Sequence, residues 1–116
     1  MALAGHAGIR SAIRPGCTAE DIYRAWRDTV DAHLGAPNDR HHCGYRIGVG
    51  FPPSWVGSVL GLRPGNTTVP RPGMTFYIQS WVIKHHVGDH VVCDTVPVTE
   101  DRCDLLTPSR GGVRWA

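Results

Sequence analysis

Ile22, Trp26, Val30 and Leu34 stand four residues apart, and beyond Gly35 that spacing gives way to alternation. The change of period constrains the fold more than any other feature, because a helix repeats near 3.6 residues and a strand near 2. Helical stripes come first and extended segments later. The expected class is therefore α+β, two helices followed by an antiparallel sheet.

The first helix is expected over Ala2–Ile13, where Ile9 and Ile13 lie one turn apart and Pro15-Gly16 stops the run. Thr18 is placed to cap the second, with Glu20 and Asp21 in its first turn, where the helix dipole favours negative charge. Gly35 supplies the C-terminal cap and Pro37 prevents resumption. Tyr45, Ile47, Val49 and Phe51 alternate with small or polar residues up to Pro52-Pro53, predicting an extended segment. Residues 54–73, rich in Gly and Pro, read mostly as loop. Met74–Ile83 is apolar or aromatic at most positions, predicting a central strand covered on both sides. Lys84–His90 is a polar connection, Val91–Val98 the returning strand, and Asp104–Thr107 a last short strand.

Composition excludes several classes of function. With 41% hydrophobic and 19% charged residues the chain is an ordinary globular one, and its 116 residues suffice for one domain. The net charge of +2 comes from scattered Arg residues, so no basic patch points to nucleic acid. No apolar stretch approaches the ~20 residues needed to cross a bilayer, and Met1–Arg14 is a poor secretion signal, so a cytoplasmic protein without membrane contact is expected. Cys17, Cys43, Cys93 and Cys103 show no CxxC spacing and read as free thiols. His41-His42 and His85-His86 with His90 match no zinc spacing.

Three segments carry a resemblance. Gly44-Tyr45-Arg46-Ile47-Gly48 resembles a GHGIG stretch, Pro72-Gly73-Met74-Thr75-Phe76-Tyr77-Ile78-Gln79 a PGM-x-F-x-I-E strand, and Asp94–Glu100 a strand ending in V-T-E. In this order they are similar to the C-terminal half of the pita-bread metallopeptidase domain found in Xaa-Pro aminopeptidases, creatinase and ectoine hydrolase. Gly44–Gly48 followed by Phe51-Pro52-Pro53-Ser54-Trp55 most resembles the branch containing ectoine hydrolase and creatinase-like Xaa-Pro dipeptidases. The resemblance implies half of a pita-bread fold over residues 1–116: a helical pair in 1–34 and a curved antiparallel sheet with loops in 44–109.

It also implies a hydrolase ancestry, acting on peptide or other C–N amide bonds. Metallopeptidase members hold two divalent ions (Mn, Co or Zn) with two Asp, one His and two Glu; other members work without metal. By motif, the His position falls on Tyr45 and the Glu positions on Gln79 and Cys93, while the Asp pair would precede Met1. A neutral amide cannot replace a bridging carboxylate and a phenol is a poor ligand, so no metal cofactor is expected in this chain. A hairpin turning between Ile83 and Val91 would put Gln79 and Cys93 side by side on one face.

Candidate substrate-binding residues are Tyr45, Phe51, Pro52, Trp55 and Gln79, with Asp94 the weak catalytic candidate; a small peptide or amide is the implied substrate. Cys93 lacks the neighbouring base or helix N-terminus that a reactive thiolate wants. Arg102 stands where the family's turn usually has Gly. The expectation is a truncated, inactive piece of a hydrolase. It competes with a structural half-domain that forms a homodimer or pairs with a complementing N-terminal half, and with a metal-independent creatinase-like amidohydrolase.

Overall fold

The computed structural model describes residues 1–38, 40–48, 60–84 and 87–107. Two helices, α1 (Ala2–Ala12) and α2 (Ala19–Leu34), are followed by strands β1 (Gly44–Arg46), β2 (Thr75–Lys84) and β3 (Gly88–Pro97). The strands form one antiparallel sheet in the order β1-β2-β3.

α2 begins where its sequence says it should. Thr18 Oγ1 accepts from the Asp21 N–H while the Asp21 carboxylate accepts from the Thr18 N–H, a reciprocal capping box. Gly35 ends the helix in the left-handed conformation, at φ 67°. The helix buries Ile22, Tyr23, Trp26 and Val30, three of them on the four-residue stripe.

Both helices lie on the face of the sheet formed by Phe76, Ile78, Ser80 and Val82, every one of which is buried. Trp26 Nε1 donates to Ser80 Oγ at 2.9 Å across this interface, giving the buried indole its partner. Gly5 allows α1 to sit this close: a Cβ there would stand 2.7 Å from Val30 Cγ2 and 3.0 Å from Trp26 Cδ1.

β2 is central, as expected, but among the described residues it is covered by helices on one face only. Its other face carries Tyr77, Trp81 and Ile83, all half-buried, with Gln79 alone fully covered. The apolar composition that predicted burial on both sides comes from aromatic residues whose outer surfaces stay open. β3 starts at Gly88, inside the expected connection.

The last predicted strand is not one. Residues 103–107 follow the outer edge of β3 through the Val98–Cys103 bridge, an Asp104 N–H bond to Pro97 O and a Leu106 N–H bond to Thr95 O. Between them the Thr107 hydroxyl, rather than backbone, accepts from the Thr95 N–H, which interrupts the ladder. The turn before it is closed by Thr99, whose N–H donates to Arg102 O at 2.7 Å. Beside β1, the buried Leu60 and Leu62 flank a bridge between Gly61 and Tyr45, so this piece of the expected loop adds to the sheet. All four cysteines are free.

Candidate functional site

The open face of the sheet gathers most of the residues singled out in the sequence. Register places Gln79 directly opposite Cys93, and Tyr45 opposite Tyr77, which in turn faces Thr95. Cross-strand neighbours share a face, so Tyr45, Gln79 and Cys93 stand within one step of one another. The sheet thus provides the convergent geometry that three metal ligands would need, and fills it with a phenol, an amide and a thiol. Phe51, Pro52 and Trp55 lie outside the described residues, as do His85 and His86.

Asp94 is elsewhere. It pairs with Ile78 on the helix-covered face, where it is buried with its Oδ2 3.0 Å from His6 Nε2. The contact is close enough for an ion pair but lies off the line of a hydrogen bond. Its other oxygen accepts from the Thr107 hydroxyl at 3.3 Å. Alternation already contains this result, because the residue after Cys93 must point the opposite way.

His42 and Arg40 were not singled out from the sequence as site residues, yet His42 lies against Gln79 and Arg40 against His42. Gln79 Nε2 lies 3.2 Å from His42 Nδ1, and Arg40 Nη2 lies 3.3 Å from His42 Nε2. Burial, with the nearby His41 and Arg40, pushes the His42 pKa below its ordinary 6.5, so the ring is neutral at pH 7. A neutral imidazole has one donor and one acceptor, and a guanidinium can only donate. Arg40 therefore donates to Nε2, and the proton sits on Nδ1. The Gln79 amide also lies 3.5 Å from His42 Nε2, so it faces both ring nitrogens.

The segment bearing these residues is pinned from both sides. Buried Asn38 donates to Trp81 O at 2.9 Å and accepts from the Ile83 N–H at 3.2 Å, occupying the edge of β2 beyond the end of β1. Tyr23 donates its hydroxyl to Arg40 O at 3.0 Å. The Arg40 guanidinium lies over the Trp81 ring, 4.1 Å from its centroid. The neighbouring Cys93 thiol, together with burial, pushes the Tyr77 pKa up to about 12, so it remains a protonated phenol. Adjacent histidines without regular spacing give no periodic signal, and His41-His42 match no zinc spacing, so the sequence did not mark His42 as part of a site. His41 is exposed, whereas His42 is half-buried.

The profile of metallopeptidase family M24 matches residues 1–115. The ectoine hydrolase of Halomonas elongata is 31% identical over 93 residues, which are 80% of this chain and 23% of that protein. The Xaa-Pro dipeptidase from Bacillus anthracis superposes with a TM-score of 0.83 at 20% identity, covering 97% of this chain and 30% of that one. The N-terminal domain of the FACT complex subunit SPT16 from chickpea superposes with a TM-score of 0.74 at 18% identity, covering 95% and 27%. The last two likenesses show the pita-bread fold, and the chain spans only about a quarter of the length of the curated relative. With its whole described sheet and both helices accounted for by that fold, and its sequence matched from end to end, this chain belongs to metallopeptidase family M24.

Proposed function

We propose that this chain is a portion of a family M24 hydrolase domain, of the kind acting on Xaa-Pro peptides or other C–N amide bonds, that does not itself carry out metal-dependent hydrolysis. The observation that carries this reading is the donor set on the open face. A pair of divalent ions brings four positive charges, which hard anionic oxygens must offset. Tyr45 and Gln79 are neutral, and Cys93 is a soft ligand. The residues present do not fit the group, and no hydrolytic step is assigned through it.

A second reading, that the chain works as a structural or binding half-domain, is favoured by its outer edge. Among the described residues nothing bonds the free edge of β3 from Gly88 to Asp94, and apolar Val91 (53% exposed) and Leu3 (48%) stand beside it. Unpaired strand edges with apolar flanks invite association. Pairing with a complementing N-terminal half, or with a second copy, would cover both the edge and the open face. The SPT16 domain supports this in one respect: its fold serves in a protein described as a complex subunit.

Size-exclusion chromatography with light scattering, combined with an Xaa-Pro dipeptide assay in Mn²⁺ or Co²⁺, tests both readings. The expected result is no metal-dependent turnover by the chain alone, together with a discrete dimer or a stoichiometric complex with an added N-terminal half. Metal-dependent turnover by the isolated chain contradicts the first reading. A stable monomer that ignores the added half contradicts the second.

A further inference from the structure

The outer edge of β3 is paired only in part. Along an antiparallel strand the residues whose N–H and C=O face one neighbour stand two apart. Val98 faces β2, donating to Met74 O, whereas Pro97 O and Thr95 O accept from the Asp104 and Leu106 N–H groups on the other side. Asp89, Val91 and Cys93 therefore face outward with Thr95. Among the described residues none of their backbone groups has a partner on that side, and all three residues are exposed. We propose that two copies of the chain pair along this edge, β3 against β3 about a twofold axis at Val91; the proposal rests on the reading of the chain as a binding half-domain.

The free stretch is its own complement. It is bounded by Gly88, where the strand begins, and by Thr95, whose N–H and C=O are taken by Thr107 and Leu106. Its three outward positions are centred on Val91. In an antiparallel pair with that centre, Val91 exchanges two backbone bonds with its counterpart, and Asp89 of each copy exchanges two with Cys93 of the other, about six bonds in all. A register step in either direction loses two of these. Cys93 then meets Val87, whose N–H is bonded to Lys84 O, or Asp89 meets the occupied Thr95. The centred register also sets each Asp89 opposite a thiol rather than opposite the other Asp89, which avoids facing like charges.

The side chains agree. Asp89, Val91 and Cys93 point to the open face, His90 and Val92 to the helix side. Along the edge, Met1, Leu3, His90, Val91 and Val92 line a groove of about 620 Å³, and Met1, Leu3 and Val91 expose large apolar surfaces. The twofold brings two such grooves together across the joined sheet, so these surfaces leave water at once. The edge also lacks the usual guards against pairing. Residues 88–93 contain neither Lys nor Pro, and their register with β2 runs without a bulge.

Sedimentation velocity over a range of concentrations, with amide hydrogen exchange alongside, tests this on the purified chain. The mass should rise with concentration to that of two chains and no further, while exchange at Val91 and Cys93 slows in step. Val91→Lys puts two like charges opposite each other on the axis and should weaken dimerisation about tenfold or more. Val69→Lys, in the loop before β2, should leave it unchanged. If Val91→Lys does not fold, Leu3→Lys serves instead and should weaken the dimer in the same direction. A monomer at every concentration, growth past two copies, or a dimer indifferent to these substitutions overturns the proposal. A monomer with slow exchange at Val91 and Cys93 overturns it too, by placing another part of the same chain on the edge. An added N-terminal half separates the two levels of the argument. A stoichiometric complex without a homodimer overturns the twofold pairing alone, whereas a monomer that ignores the added half overturns the half-domain reading with it.

Discussion

At the scale of single residues, the side chains that hold this molecule together are those hardest to read from a sequence. Asn38 has no periodic neighbour, yet it is buried and substitutes for a strand at the edge of β2. Asn38→Ala removes both bonds and leaves a carbonyl and an N–H to find water, which should cost about 1–3 kcal/mol in denaturant unfolding. An unchanged unfolding midpoint would show that the edge needs no such plug. His6 is a second case. Burial depresses its pKa below 6.5 more than Asp94 raises it, and Arg10 adds to the depression. The unfolded chain therefore binds the proton more readily than the folded one. Stability contributed by neutral His6 is complete above pH 6.5 and is lost as pH falls from there through the folded pKa, by about 1.4 kcal/mol for each unit of depression. His42 titrates in the same sense. His6→Gln should flatten the decline in melting temperature between neutral and mildly acidic pH, leaving the His42 part; an unaltered pH profile would show that burial of His6 does not govern it.

At the scale of elements, what the sequence revealed depended on whether a local rule decided the outcome. The α2 boundaries follow from Thr18, Asp21 and Gly35, each acting within a few residues, and the structure keeps all three. The side-by-side placement of Gln79 and Cys93 was legible because a hairpin tip sets the register of everything behind it. That helices cover only one face of β2 among the described residues was not, since its cause lies in which elements pack on the sheet. Nor was the role of Leu60 and Leu62, two apolar residues in a Gly- and Pro-rich stretch whose partner strand is far away in sequence. The α1–sheet contact supplies a sharp test. Alanine at an interior helix position is normally favoured over glycine by about 1 kcal/mol. At Gly5 the added methyl meets Val30 and Trp26 in a packed interface, and overpacking of that kind costs about 1–3 kcal/mol. Gly5→Ala should therefore destabilise the chain, as read by thermal unfolding; a stabilised variant would mean that α1 sits less tightly than described.

For the whole molecule, fold and chemistry give different messages. The sheet keeps the pita-bread geometry, and the three positions that the motif resemblance assigns to metal ligands lie on one face of it, as Tyr45, Gln79 and Cys93. Resemblance in the three motifs identified the family, and the same motifs, read residue by residue, exposed the departure at Tyr45, Gln79 and Cys93. Arg40 and His42 escaped that reading because no motif contains them; only the folded chain sets His42 against Gln79 and Arg40 against His42. Isothermal titration calorimetry with Mn²⁺ tests the central claim most directly, comparing the chain with its Tyr45→His/Gln79→Glu/Cys93→Glu variant. No saturable binding is predicted for the unaltered chain, and measurable binding for the variant, which restores three ligands to one face. Saturable Mn²⁺ binding by the unaltered chain would contradict the account, because it would mean that a phenol, an amide and a thiol can serve where the family places an imidazole and two carboxylates.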